Sequence, residues 1–225
     1  MLPSSTVENY LKAIYTGVAG LVPPQRLLPM GQLAAALTVA PGTATTMVKA
    51  LHESGLVEYE PYAGVRLSAA GDKLAALVLR RHRLIEAFLV QVMGLRWDEV
   101  HDDAELLEHV VSDRLVQRMD EMLGHPTVDP HGDPIPDAEG VLHAPALPDL
   151  LQCPVGVPLT VTRVLDQDGG FLRFLEQQQL KPGETITVEQ RDTAADCVAL
   201  RTAGDRQLTI GARAASKLLV RPQEP

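Results

Sequence analysis

The chain has 225 residues, 45% hydrophobic and 22% charged, an ordinary balance for a folded protein of one or two domains. No apolar run reaches the roughly 18 residues that span a bilayer, MLPSSTVENY carries no basic stretch followed by an apolar one, and Cys153 and Cys197 form no recognisable pattern; a reduced cytoplasmic protein with no membrane partner is expected. The net charge of −9 hides an asymmetry, with 9 Lys/Arg against 6 Asp/Glu in residues 1–96 and 11 against 23 in residues 97–225, so a locally basic end precedes an acidic remainder.

Along the chain, Ser4-Ser5-Thr6 caps a helix over residues 4–19 in which Val7, Leu11, Ile14, Tyr15 and Val18 keep helical spacing. Pro23, Pro24 and Pro29 mark a loop, Met30–Leu37 a short helix, TVAPG at 38–42 a turn, and Thr43–Ser54 a second helix closed by Gly55. The runs VEY and VRL around Pro61 and Gly64 predict a hairpin, and long helices are expected over Ala69–Met93 and Trp97–Leu123. From Pro126 to Pro158 the chain spends 8 of its 17 prolines, which excludes regular helix or central strand and suggests an extended linker. Beyond Val155 short β runs (PLTVTRVL, ETITVEQ, CVALRT, RQLTIG, KLLV) surround LRFLEQQQLKPG, taken as one or two helical turns, and predict a small antiparallel barrel of roughly 70 residues.

Helix, short helix, turn, helix and hairpin over residues 4–68 is the order of a winged helix-turn-helix, whose second helix of the pair enters the DNA major groove. Thr43, Thr45 and Thr46 in its first turn and Lys49 one turn later are the candidate DNA-binding residues, with Arg66 beyond the Tyr62-Ala63-Gly64 tip reaching the neighbouring backbone. A set of threonines that merely caps and solvates a surface helix is the competing view.

The most informative stretch is LRRHRLIEAFLVQVMGLRWDEVHDDAELLEHVV, residues 79–111. His82 and Glu86 lie four apart, and His101, Glu105, Glu108 and His109 stand at offsets 0, 4, 7 and 8, each set on one helical stripe. Such a stripe among apolar residues is costly to bury unless something binds it, and imidazole with carboxylate suits Mn²⁺, Fe²⁺, Co²⁺ or Zn²⁺, with a lean toward Mn²⁺. Solvated i,i+4 pairs are the alternative. His52, His125, His131 and His143 lack such company and are taken as surface or linker residues, and Cys153 and Cys197 as buried fillers.

The segments TVENYLKAIY (6–15), GLVEYEPYAGVRLSAAG (55–71), RRHRLIEAFL (80–89), WDEVHDDAELLEHVVSD (97–113) and GHPTVDPHGDPIP (124–136) resemble the DtxR/MntR family of metal-dependent transcriptional repressors, in the long form with a C-terminal SH3-like (FeoA-like) domain. The resemblance implies a mainly α fold with small β: a winged helix-turn-helix (1–72), a helical metal-binding and dimerisation domain (73–140), a Pro-rich linker (141–152) and an SH3-like β-barrel (153–225). It implies two metal sites per subunit, one from His82, Glu86 and His101, the other from Glu105, Glu108 and His109 with Asn9 of the first helix; Asp168 is the candidate ligand from the SH3-like domain. Glu105 stands where iron-sensing members carry Cys, which resembles the manganese-sensing members, so Mn²⁺ is expected first and Fe²⁺ next. Asn9 stands where relatives have Met or Asp, and Lys12 where short manganese regulators have Glu. The implied partners are palindromic operator DNA and a second copy of the chain, and no catalysis is expected. A helical di-metal enzyme would need a second Glu-x-x-His, which is missing. A regulator answering an organic ligand has little aromatic lining to draw on at 4% Phe, Trp and Tyr.

Overall fold

A computed structural model describes residues 4–22 and 24–223, so Pro23 of the predicted loop lies outside the described residues. The chain forms two compact units, Met1–His82 with Pro136–Leu142, and Arg83–Ile135 with His143–Pro225.

In the first unit α1 (Ser5–Ala19) buries Tyr10, Leu11 and Ile14 on one stripe. Short α2 (Met30–Ala36) and then α3 (Pro41–Glu53) follow. The expected turn at TVAPG is shorter than predicted, because Pro41 opens α3 at a position where its missing N–H costs nothing and Ala40 supplies the extended cap. Ala44, Val48 and Leu51, at i, i+4 and i+7, face the core with Leu33 and Leu11, and this spacing leaves the opposite face of α3 to solvent. Strands β1 (Val57–Glu60) and β2 (Gly64–Leu67) pair antiparallel as the predicted hairpin, and Leu28 bridges to Val65. The long helix α4 (Ala69–Gln91) starts against this wing: a β-carbon on Gly71 would overlap the carbonyl oxygen of Leu56, so only glycine fits there.

In the second unit the single helix expected over Trp97–Leu123 is two, α5 (Val100–Glu108) and α6 (Asp113–Met122). Ser112 breaks it: its backbone is extended (φ −70°, ψ 152°) and its hydroxyl caps α6 by accepting from the N–H of Leu115. Ile85, Leu89, Val100 and Ala104 weld α4 to α5. The proline-rich stretch is not all linker, since residues 131–136 are buried and Val128 bridges to Pro134.

Strands β3 (Pro158–Val164), β4 (Thr185–Asp192), β5 (Cys197–Thr202), β6 (Gln207–Gly211) and β7 (Leu218–Pro222) form an antiparallel sheet in the order β6-β5-β4-β3-β7. This corrects the expected barrel: the sheet is open, because the short helix α8 (Ala212–Ala215) turns the chain out after β6 and β7 returns to the far edge beside β3. Alternate residues Leu159, Val161, Ile186, Val188, Val198 and Leu200 make one apolar face, and α7 (Gly169–Gln178) lays Leu172 and Leu175 on it. At ten residues α7 is longer than the turn or two predicted.

Candidate metal centre and DNA-facing helix

On α3, Thr43, Thr46 and Lys49 are exposed and Thr45 is half-buried. The hydroxyls of Thr45 and Thr46 donate back to the carbonyls of Pro41 and Gly42, each at 2.9 Å, so a phosphate would have to draw those protons away from the helix. Lys49 carries a charge on the same exposed face. On the wing, Arg66 pairs across the hairpin with Glu58, both about half-exposed, and Tyr62 at the tip is fully exposed in a left-handed turn (φ 66°). Arg66 therefore arrives engaged, and a phosphate would compete with Glu58.

The metal-type residues converge in part. His82 and Glu86 project from successive turns of the uninterrupted α4, and His101 from α5; their ligand atoms lie within 4.8 Å of one another, near the span of two metal–ligand bonds of about 2.1 Å each. The Glu86 side chain is wholly buried, and His101 Nδ1 stands 3.2 Å from its Oε1. His101 Nε2 is 3.9 Å from Glu105 Oε1, so this imidazole stands between the first cluster and the next carboxylate along α5.

Glu105, Glu108 and His109 do not close into one ligand cluster. The Glu108 side chain is wholly buried with His109 Nε2 3.6 Å away, while that of Glu105 is 45% exposed. Asn9, on α1, has a buried amide oxygen that accepts no hydrogen bond, an arrangement that ordinarily costs about 1–3 kcal/mol and that a cation would offset. Asp168 is exposed and caps α7, its Oδ1 accepting from the N–H of Phe171 at 2.9 Å, and it stands in neither cluster of ligand atoms found among the described residues.

A second cluster was missed: Glu86, Asp129 and His131, all buried, again with ligand atoms within 4.8 Å. Burial first, then the neighbouring Asp133 and Glu86, pushes the Asp129 carboxyl well above the usual carboxylate range. The signal lay in DPHGDP, where Asp129, His131 and Asp133 alternate around a glycine. Reading the prolines as a linker concealed it.

These domains match known models in the same order: an iron-dependent repressor N-terminal DNA-binding domain over residues 3–65, an iron-dependent repressor metal-binding and dimerisation domain over 68–137, and a FeoA domain over 149–222. The chain is 32% identical over 199 residues to the iron-dependent repressor IdeR of Mycobacterium leprae, covering 82% of this chain and 84% of the relative. The chain belongs to the iron-dependent repressor family. Among solved members, a manganese-dependent transcriptional repressor in complex with manganese superposes with a TM-score of 0.87 at 37% identity, covering 96% of this chain and all (100%) of that one. ScaR with bound Cd²⁺ gives 0.79 at 30%, covering 98% and 100%. Membership makes this chain a metal-dependent transcriptional regulator with a DNA-binding and a metal-binding domain, in a family that is not enzymatic. Among the described residues no helix is long and apolar enough to cross a membrane.

Proposed function

We propose that this regulator is a homodimeric repressor of manganese or iron uptake genes, binding a palindromic operator when loaded with a divalent cation, Mn²⁺ first and Fe²⁺ next. The observation that carries this is the pair of wholly buried carboxylates, Glu86 and Glu108, set beside histidines on the helices that follow the winged motif. A divalent cation supplies charge and directional bonds that stabilise such groups together. His82, Glu86 and His101 hold one ion; Glu105, Glu108, His109 and Asn9 hold the other. Oxygen- and nitrogen-only ligands without thiolate favour Mn²⁺ over softer ions. Fixing α1 and α5 through their ligands sets the presentation of α3 in each copy, so that Thr43, Thr45, Thr46, Lys49 and Arg66 meet two half-sites. Asp168 is the least supported ligand, being committed to its cap.

Dimerisation draws support from exposed apolar residues: Leu106 (73%) on α5 and Val110 (77%) in the turn just after it, and Leu115 and Met122 on α6. Replacing Leu106 and Val110 together by Glu is expected to give monomers in sedimentation velocity, with fold retained by circular dichroism and affinity for a two-half-site operator lost. An unchanged dimer would place the interface elsewhere.

Fluorescence anisotropy with a palindromic operator of the family type tests the whole proposal, in EDTA and then with Mn²⁺, anaerobic Fe²⁺ and Zn²⁺. Equal binding with and without metal would overturn it. In the same assay Lys49→Ala is expected to weaken binding to all sequences alike and to lower the slope of log K against log salt by about 1.

A further inference from the structure

We infer that Glu86, Asp129 and His131 form an additional divalent-cation position, joined through Glu86 to the His82–Glu86–His101 position. The inference rests on the metal-dependent function proposed above, but it is carried by the chemistry of His131. Its Nε2 lies 2.8 Å from the carbonyl oxygen of Trp97. A carbonyl oxygen only accepts, so Nε2 holds the proton, and in neutral imidazole Nδ1 is then a bare lone pair. That Nδ1 is buried, makes no hydrogen bond, and stands 4.0 Å from Glu86 Oε2 and 3.9 Å from Asp129 Oδ1. A buried lone pair facing two carboxylates is repulsive unless a proton or a metal cation lies between them, and these separations fall within the span of two metal–ligand bonds of about 2.1 Å each. The ring is also held in place by stacking on Trp97, with centroids 5.7 Å apart.

The two carboxylates fit the same account. Asp129 Oδ1 accepts from the backbone N–H groups of His131 (2.8 Å) and Asp133 (2.9 Å), while its Oδ2 is buried with no hydrogen-bond partner and Arg83 Nε is 3.7 Å away. Glu86 turns Oε1 toward His101 and Oε2 toward His131, each oxygen facing a different imidazole, as a carboxylate bridging two cations does. Of the charged groups around the position, Arg83 lies near Asp129 and Asp133, and Arg163 pairs with Asp133 rather than with Asp129 or Glu86 among the ion pairs seen. Imidazole with two carboxylates is a ligand set for Mn²⁺, Fe²⁺ or Zn²⁺.

The test uses the full chain and Mn²⁺ alone. Bound ions per chain are counted by equilibrium dialysis with elemental analysis, and the loaded protein is measured by electron paramagnetic resonance. Wild type is expected to hold one ion more per chain than Asp129→Asn or His131→Gln, and to show a spin-coupled signal from two ions bridged by Glu86. Both variants should lose the part of that coupling that runs through Glu86. Equal counts in wild type and variants, or an uncoupled spectrum from loaded wild type, would overturn the inference; the second result needs no variant to fold. Operator binding on the same samples is read separately. Its failure to respond to Mn²⁺ would sink the regulator function while the ion count still decides this position.

Discussion

Replacing Glu108 with Ala is expected to abolish the Mn²⁺ response of operator binding while leaving weak, salt-sensitive DNA binding intact. Glu108 is the last residue of α5, and its carboxylate is wholly buried beside His109. Glu105 is half-exposed and keeps water as an alternative partner, so under the proposed ligand assignment Glu108 should carry more of the dependence on metal. Coupling between effector and ligand sites is typically 1–3 kcal/mol, or roughly 5–150-fold in affinity, and by linkage DNA must tighten Mn²⁺ binding by the same factor. Loss of the ligand should remove that factor from both titrations at once. Glu108→Gln keeps the volume and removes the charge, and so separates a packing defect from a lost ligand. If both variants kept the full Mn²⁺ response in anisotropy, the assignment of this residue would fail.

Much of this was legible because the signals were local. The apolar spacing of Val7, Leu11 and Ile14, and the VEY and VRL runs around Pro61 and Gly64, specify α1 and the hairpin with no reference to the rest of the chain. The His82/Glu86 pair was readable for the same reason, since a helix fixes which positions share a face. What was misread depended on contacts distant in sequence or on a competing cap. Ser112 divides α5 from α6 because its hydroxyl offers the backbone an alternative to continuing the helix. Strand patterns show which faces are apolar but not whether the two edges of the sheet meet, so an open sheet looked like a barrel. Asp168 is offered as a ligand on the family resemblance alone, and the fold adds that its side chain caps α7. His131 was set aside for lack of neighbours in sequence, though its neighbours, Glu86 and Trp97, are supplied by other parts of the fold.

Gly132→Ala is expected to be the most damaging single-methyl substitution in the second unit. Gly132 has φ 82°, and a β-carbon there would overlap the carbonyl oxygen of Thr162 and lie 2.8 Å from the Cα of Arg163. Those are backbone atoms of β3, tied to the loop by the hydrogen bond from the Val164 N–H to the His131 carbonyl (2.9 Å), so no side chain can swing aside. Positive φ costs a non-glycine residue about 1–3 kcal/mol, and displacing the strand adds to it. At 2–4 °C per kcal/mol for a protein of this size, a fall in Tm of roughly 6–20 °C follows for a loss of about 3–5 kcal/mol. Gly124→Ala supplies the contrast: Gly124 also has positive φ (71°), but nothing lies within 4 Å of an added β-carbon, so only the conformational cost of about 1 kcal/mol should appear. A large gap between the two melting temperatures would show that close packing of the DPHGDP loop on β3, rather than backbone strain alone, demands this glycine. Equal, small effects would mean that the loop can lift from β3, and His131 and Asp133 would then lose the support that holds them beside Glu86 and Arg83.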